Sequence, residues 1–154
     1  MSYIIGIDIT ATSTTLDFQL GQVGQTSDGK LYKYVQYVVG AGTIAAVSGN
    51  VVGYYAASGA SAGQTTIVTA DVSDTAKAGA GVLNSAPGTG EYCWIQVTGA
   101  RQLTTALASG ADGNALTLVG AGDSTLDVSG AVTDAVCATA IDASAKIIMC
   151  QFPL

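Results

Sequence analysis

The chain has 154 residues, of which 49% are hydrophobic and only 10% are charged, and its net charge is −6. This length suits one domain that buries its core without a disulfide framework or a metal. The five cations are scattered and form no cluster that could neutralise phosphates, so neither nucleic acid nor a membrane is an expected partner. The chain has one glutamate and 20 glycines, and this shortage of helix-forming residues argues against a helical protein.

The N-terminal segment, residues 1–17, has two interpretations. Its first nine residues alternate with a period of two, which places Tyr3, Ile5, Ile7 and Ile9 on one side of an extended chain. The segment is therefore either an ordinary first strand or an arm that adds a strand to a neighbouring subunit. The chain shows neither the pattern of a secretory signal nor an apolar run of the roughly 20 residues that span a bilayer.

Residues 18–154 are predicted to form a single all-β domain that includes one long early strand. A two-residue Asp-Gly turn leads into residues 31–39, the longest run of alternating β-forming residues. Tyr32 and Tyr34 lie on one face of this strand. Their rings are either part of an ordinary sheet face, with the hydroxyls at its rim, or an aromatic binding platform.

The densest β signal lies between residues 79 and 99. Two runs flank a loop in which Pro87 fixes one backbone angle and two glycines permit positive φ. The second run contains the single tryptophan of the chain and is rich in aromatic and β-branched residues. Tyr92, Trp94 and Val97 are the candidate core residues of this hairpin.

Short apolar runs separated by glycine turns fill the rest of the chain. Residues 73–78 are compatible with one helical turn capped by Asp74, and residues 101–108 favour a strand over a short helix. From residue 109 the runs recur about every ten residues, which is typical of a sandwich or a barrel. The predicted fold class is all-β: a single antiparallel β-sandwich or barrel-like domain with an extended N-terminal segment.

Residues that carry chemistry are sparse, since the chain has no histidine and therefore lacks the usual triads. Its three cysteines have no metal-ligand spacing and are interpreted as buried hydrophobes, although two of them could pair. Asp71 and Asp74 are interpreted as a solvated turn and not as an acid–base pair. Residues 120–126 approach a calcium-binding nonapeptide but miss its register. We therefore predict no enzyme activity, no cofactor and no metal site.

Two stretches of the chain carry recognisable sequence motifs, which differ from each other. The first spans residues 18–36 and contains FQLGQVG followed by DGKLYKYVQ; the second spans residues 90–99 and reads GEYCWIQVTG. Together they resemble the capsid decoration (cement) proteins of tailed bacteriophages, over about residues 18–100 of this chain. Cys93 stands where those proteins usually have a glycine, and the last third of the chain shares only the general β pattern.

The resemblance implies a non-enzymatic structural virion protein that binds the outer surface of a head shell and stabilises it. Its partner would be the major capsid protein, its copies would associate as a homotrimer, and it would be made in the cytoplasm of the bacterial host. The alternative function is a surface-exposed binding module, such as a fibre, adhesin or receptor-recognition domain that uses loops 58–64 and 109–114. The candidate interface residues are Tyr3, Ile5, Ile7, Ile9, Phe18, Leu20, Tyr32 and Tyr34.

Overall fold

The structure is a computed structural model that describes residues 7–56 and 64–154. It confirms the all-β fold class, because all the regular structure in these two ranges is β-strand except for one 3₁₀ helix of three residues. The predicted loop 58–64 lies outside the described residues except for its last residue. The strands are β1 (Val23–Gln25), β2 (Leu31–Tyr37), β3 (Val51–Tyr55), β4 (Ile67–Thr69), β5 (Thr75–Leu83), β6 (Tyr92–Gln96), β7 (Thr98–Gln102), β8 (Ala115–Thr117), β9 (Asp127–Val128), β10 (Val136–Asp142) and β11 (Ile147–Gln151).

The first sheet closes on itself as a barrel. Its strand order is β1-β2-β4-β3-β5-β6, and a further pairing between β2 and β6 joins the two ends of the row β2 to β6. Strands β2 and β4 are parallel, whereas the sequence predicted antiparallel pairing throughout. The reason is that β4 turns back antiparallel to β3 and inserts between β3 and β2, so that it runs in the direction of β2.

The second sheet is antiparallel, with the order β7-β11-β10-β8-β9. Val97 joins it to the barrel, because this residue lies between β6 and β7 in one continuous extended run. Its N–H donates to the Leu31 carbonyl at 2.9 Å, and its own carbonyl accepts the Phe152 N–H at 3.0 Å. The run predicted at residues 101–108 is a strand only as far as Gln102.

The two sheets share one main core, to which the barrel and the second sheet both contribute. Buried apolar side chains from each meet there, among them Val35, Val52, Ile95, Leu116 and Ile148. The contact is close at β5, where a Cβ on Gly79 would lie 2.9 Å from both the Cys137 Sγ and a Phe152 ring carbon. A glycine at that position therefore allows the β5 backbone to approach the second sheet.

A short 3₁₀ helix, Val72–Asp74, precedes β5. Its N-cap is Asp71 and not the predicted Asp74, because the Asp71 carboxylate accepts the Ser73 N–H. None of its residues is fully buried, but Val72 packs against the main core. Its effect is to bring the aspartates of this region against the turn at Gly40–Gly42.

Candidate interface

The predicted interface residues that the structure describes gather at one place, on the outer face of the barrel. Tyr32 and Tyr34 project from β2 beside Trp94 of β6, and the three form a small buried cluster separate from the main core. Partly buried side chains of the N-terminal segment and of the chain just after it pack on this cluster: Ile7, Ile9, Phe18 and Leu20. Tyr3 and Ile5 lie outside the described residues.

Aromatic contacts dominate this cluster. Tyr34 and Trp94 are directly opposite each other in the β2–β6 register, with ring centroids 5.1 Å apart. Phe18 meets the Tyr34 ring edge-on at 5.2 Å and lies 5.4 Å from the indole of Trp94. Tyr92 stacks on Tyr34 at 6.1 Å. Such pairs stabilise a fold by about 0.5–1.5 kcal/mol each beyond the area they bury.

Few backbone hydrogen bonds hold residues 7–20, which cover the aromatic cluster, in place. Ser13 and Tyr92 exchange two hydrogen bonds, of 3.1 and 2.8 Å, in an isolated antiparallel bridge. The chain is fixed again where the Gly21 N–H donates to the Tyr34 carbonyl and the Tyr34 N–H donates to the Gln22 carbonyl. The described part of the N-terminal segment thus packs on its own domain. Whether the segment is an ordinary first strand or an arm that adds a strand to a neighbouring subunit is not tested by these contacts.

The three candidate core residues occupy different environments. Trp94 is 1% exposed, but it belongs to the outer aromatic cluster, whereas Val97 is buried in the main core. Tyr92 is only partly buried, at the edge of the aromatic cluster. The difference follows from strand alternation, since Cys93 and Ile95 take the inward positions of β6 and leave its outward positions to Tyr92 and Trp94. Burial raises the pKa of Tyr32 and of Tyr34.

The acidic side chains are engaged by the chain itself. All eleven carboxylates accept at least one hydrogen bond from a neighbouring N–H or hydroxyl, and most of them hold a turn or a loop. Asp134, for example, accepts the N–H groups of Gly130 and Ala131, both at 2.9 Å. These bonds lower the pKa of Asp134. The acidic side chains thus have a structural role in the turns and loops of this domain.

Asp71 is the most deeply buried of these carboxylates. Its two oxygens accept the Gly42 N–H at 2.6 Å and the Ser73 N–H at 3.0 Å. The Ser73 hydroxyl also donates to it, and these hydrogen bonds hold the pKa of Asp71 below its ordinary value against the opposing effect of burial. The sequence predicted a solvated turn here, but Asp71 is buried.

The cationic side chains also bond to groups of the protein itself. Lys77 donates to the Val72 carbonyl at 2.9 Å, and Lys146 donates to the Thr104 carbonyl at 3.0 Å. Arg101 bonds the Leu83 carbonyl at 3.1 Å. The remaining two are Lys30, in an ion pair with Asp28, and the buried Lys33, whose Nζ lies 2.9 Å from the Tyr54 hydroxyl. Each of the five cations thus bonds a group of the protein itself.

An open hollow of about 640 Å³ lies among loops 106–112 and 143–144, part of the region predicted for a binding module. Its lining is small, and its one carboxylate, Asp112, accepts the Ala143 N–H at 2.8 Å. In the described ranges no three or more carboxylate or thiol groups converge as metal ligands do. Asp123, in the near-miss calcium motif, accepts the Val72 N–H.

The three cysteines, Cys93, Cys137 and Cys150, are free and buried, which agrees with their interpretation as hydrophobes. Burial raises the pKa of each thiol from 9.0 to about 12. At pH 8 only about one thiol in ten thousand is then a thiolate, the reactive form.

We expect the three thiols of the folded protein not to react with Ellman's reagent over an hour, because they are buried. In guanidinium, where the chain is unfolded, all three should react and release three equivalents of thionitrobenzoate. Rapid labelling of the folded protein would contradict this burial.

No family model matches this sequence, and neither the curated proteins nor the solved structures gave a match. Within the described residues, no helix has the length and apolar character needed to cross a membrane.

Proposed function

We propose that this chain is a non-enzymatic structural protein of a bacteriophage virion, which binds the outer surface of the head shell and stabilises it. The observation that carries the proposal is the pairing of the two stretches on which the resemblance rests. Residues 31–36 of β2 lie beside residues 92–96 of β6, and Tyr34 is directly opposite Trp94. Motifs far apart in sequence thus form one aromatic unit, as expected if they are a structural signature and not a chance likeness.

The body of the protein suits such a role. A closed barrel and a second sheet share one main core. The centres of protein interfaces are depleted in charged residues and rich in tyrosine, so we expect the contacts with a partner to be made mainly by uncharged side chains. Many copies on one shell stabilise it even when each contact is weak, because the copies act together.

Quantitative mass spectrometry of purified particles tests this function. The expected result is a copy number close to that of the major capsid protein, with antibody labelling spread over the head in electron micrographs. Particles that lack the chain should release their DNA at a lower temperature. Adding the purified chain back should restore the higher temperature, whereas adding an unrelated protein of equal charge should not.

Two kinds of result would contradict this function. A few copies per particle, or labelling confined to the tail or to fibres, would overturn the cement function and favour a binding module. A chain that is abundant on the head but leaves the release temperature unchanged would overturn the stabilising role. The homotrimer implied by the resemblance is a separate prediction, and it is tested by the oligomeric state of the purified chain.

A further inference from the structure

Residues 7–18, which we call the strap, cover the aromatic cluster but lie at the surface themselves. None of them is fully buried. Three apolar side chains of the strap, Ile7, Ile9 and Phe18, pack on the cluster, and apart from the partly buried Ser13 the other strap residues are exposed. A segment with so few buried apolar contacts belongs to the part of a fold that opens most easily.

The hydrogen bonds of the strap are mostly internal. The Asp8 carboxylate accepts both the N–H and the hydroxyl of Thr10, and the Ser13 hydroxyl accepts the Thr15 N–H at 3.1 Å. Within the described residues, only the two hydrogen bonds between Ser13 and Tyr92 join the strap to the rest of the protein. Departure of the whole strap therefore breaks two hydrogen bonds and leaves its local ones intact.

A turn that is fixed to the barrel marks the end of the strap. The Gln22 N–H donates to the Gln19 carbonyl at 3.0 Å, and Gly21 between them has a positive φ of 83°. Both Gly21 and Gln22 are bonded to the backbone of Tyr34 in β2. Movement of the strap is thus confined to the residues before Gln19, and the pairing of β1 with β2 is retained.

A buried hydroxyl under the strap favours its departure. The Tyr34 hydroxyl lies close to the backbone of Asp17 but makes no hydrogen bond of ordinary geometry with the described residues. By contrast, the hydroxyl of Tyr37, on the same strand, donates to the Ile44 carbonyl at 2.6 Å. A buried polar group without a partner destabilises the state that buries it, and water satisfies the group when it is uncovered.

We propose that the strap detaches from the aromatic cluster as one unit, about the turn at residues 19–22, while the barrel and the second sheet stay folded. The closed form predominates, because the Phe18 ring packs against the rings of Tyr34 and Trp94. Opening uncovers these two rings and frees the backbone N–H and C=O of Tyr92. The surface that the protein presents thus depends on the position of the strap. This inference does not depend on the proposed virion function.

Native-state hydrogen exchange of the wild-type chain tests the opening. The amides of Ser13 and Tyr92 bond only each other's carbonyls, so they should share one protection factor. It should be at least about a hundredfold lower than that of Val97, whose N–H bonds the Leu31 carbonyl in the barrel. Protection equal to that of Val97 would mean that the strap leaves only when the domain unfolds, and would overturn the inference. Complete lack of protection at both amides would also overturn it, since no closed form would then exist.

Two tyrosine variants of β2 separate strap opening from a general loss of stability. Tyr34→Phe removes the hydroxyl that lacks a partner and should slow exchange at Ser13 and Tyr92 by roughly tenfold. Tyr37→Phe is the matched control, because it removes a hydroxyl that is bonded inside the domain. It should lower the urea midpoint but leave exchange at Ser13 and Tyr92 unchanged. Unchanged exchange in Tyr34→Phe would overturn the role given to its hydroxyl.

A disulfide lock gives an independent readout. Opposite residues in a hydrogen-bonded antiparallel pair have Cα atoms about 5.5 Å apart, a separation that a disulfide spans. In a chain with Ser13→Cys and Tyr92→Cys, glutathione disulfide should form the bridge and be reduced to two glutathione thiols. Chymotrypsin should then cleave after Phe18 at least about tenfold more slowly than in the same chain after reduction. Cleavage after Tyr37, in the barrel, measures unfolding of the whole domain and should be the slower of the two in the reduced chain. Equal cleavage after Phe18 in the oxidised and reduced forms would overturn the inference.

Discussion

Replacement of Trp94 by alanine is expected to lower the free energy of unfolding by about 3–5 kcal/mol, the usual range for removing a buried aromatic residue from a packed site. The indole is 1% exposed and contacts the rings of both Phe18 and Tyr34. Its loss removes part of the surface on which the N-terminal segment packs, and it also removes the centre of the aromatic cluster. Because Trp94 is the only tryptophan, unfolding in urea is best followed by far-UV circular dichroism.

Two further variants make this result interpretable. Phe18→Ala removes only the covering ring, so it should cost less than Trp94→Ala and should shift the Trp94 fluorescence to longer wavelength as water reaches the indole. Leu16→Ala is the control, since Leu16 is 55% exposed and should change stability by less than about 0.5 kcal/mol. A loss below about 1 kcal/mol for Trp94→Ala would mean that the cluster opens readily, and that its rings are available to a partner.

Local periodicity was enough to predict much of the fold. The run predicted at residues 31–39 is β2, and the two arms of the predicted 79–99 hairpin are the end of β5 and β6. Alternation shows which residues share a face, but it does not show which face is covered by the main core. Alternation therefore does not tell that Val97 faces the main core and that Trp94, on the opposite side of the run, faces the outer aromatic cluster. The parallel pairing of β2 with β4 was not predictable, because it depends on where a distant strand inserts.

The candidate site was predictable only in part, for a similar reason. Aspartates that bond a hydroxyl two residues away, such as Asp8 with Thr10 and Asp142 with Ser144, follow a local pattern visible in the sequence. Bonds across the fold leave no such pattern, as when Asp112 accepts the N–H of Ala143.

Loss of the Asp71 carboxylate is expected to destabilise the protein by about 1–3 kcal/mol at pH 7, the range for leaving buried hydrogen-bonding groups without their partner. Asp71→Asn keeps the shape of the side chain but removes its charge, and one of its terminal atoms can no longer accept. The Gly42 N–H then faces a weaker partner or none. The turn packs closely on this side chain, since a Cβ on Gly40 would lie 2.6 Å from the Asp71 Cβ.

The same carboxylate makes stability depend on pH in a defined direction. Its pKa in the folded protein is lower than the ordinary value of 3.8, so its contribution is complete above pH 4 to 5 and is lost as the pH falls through the folded pKa. Wild-type stability should therefore decrease on acidification below about pH 4, and the difference between wild type and Asp71→Asn should shrink over the same interval. Urea midpoints measured at intervals from neutral pH down to about pH 2 test both trends. Asp112→Asn is the control, because Asp112 is exposed and accepts a single backbone N–H. An Asp71→Asn deficit that stays constant down to the lowest pH would mean that shape, and not charge, is what this position requires.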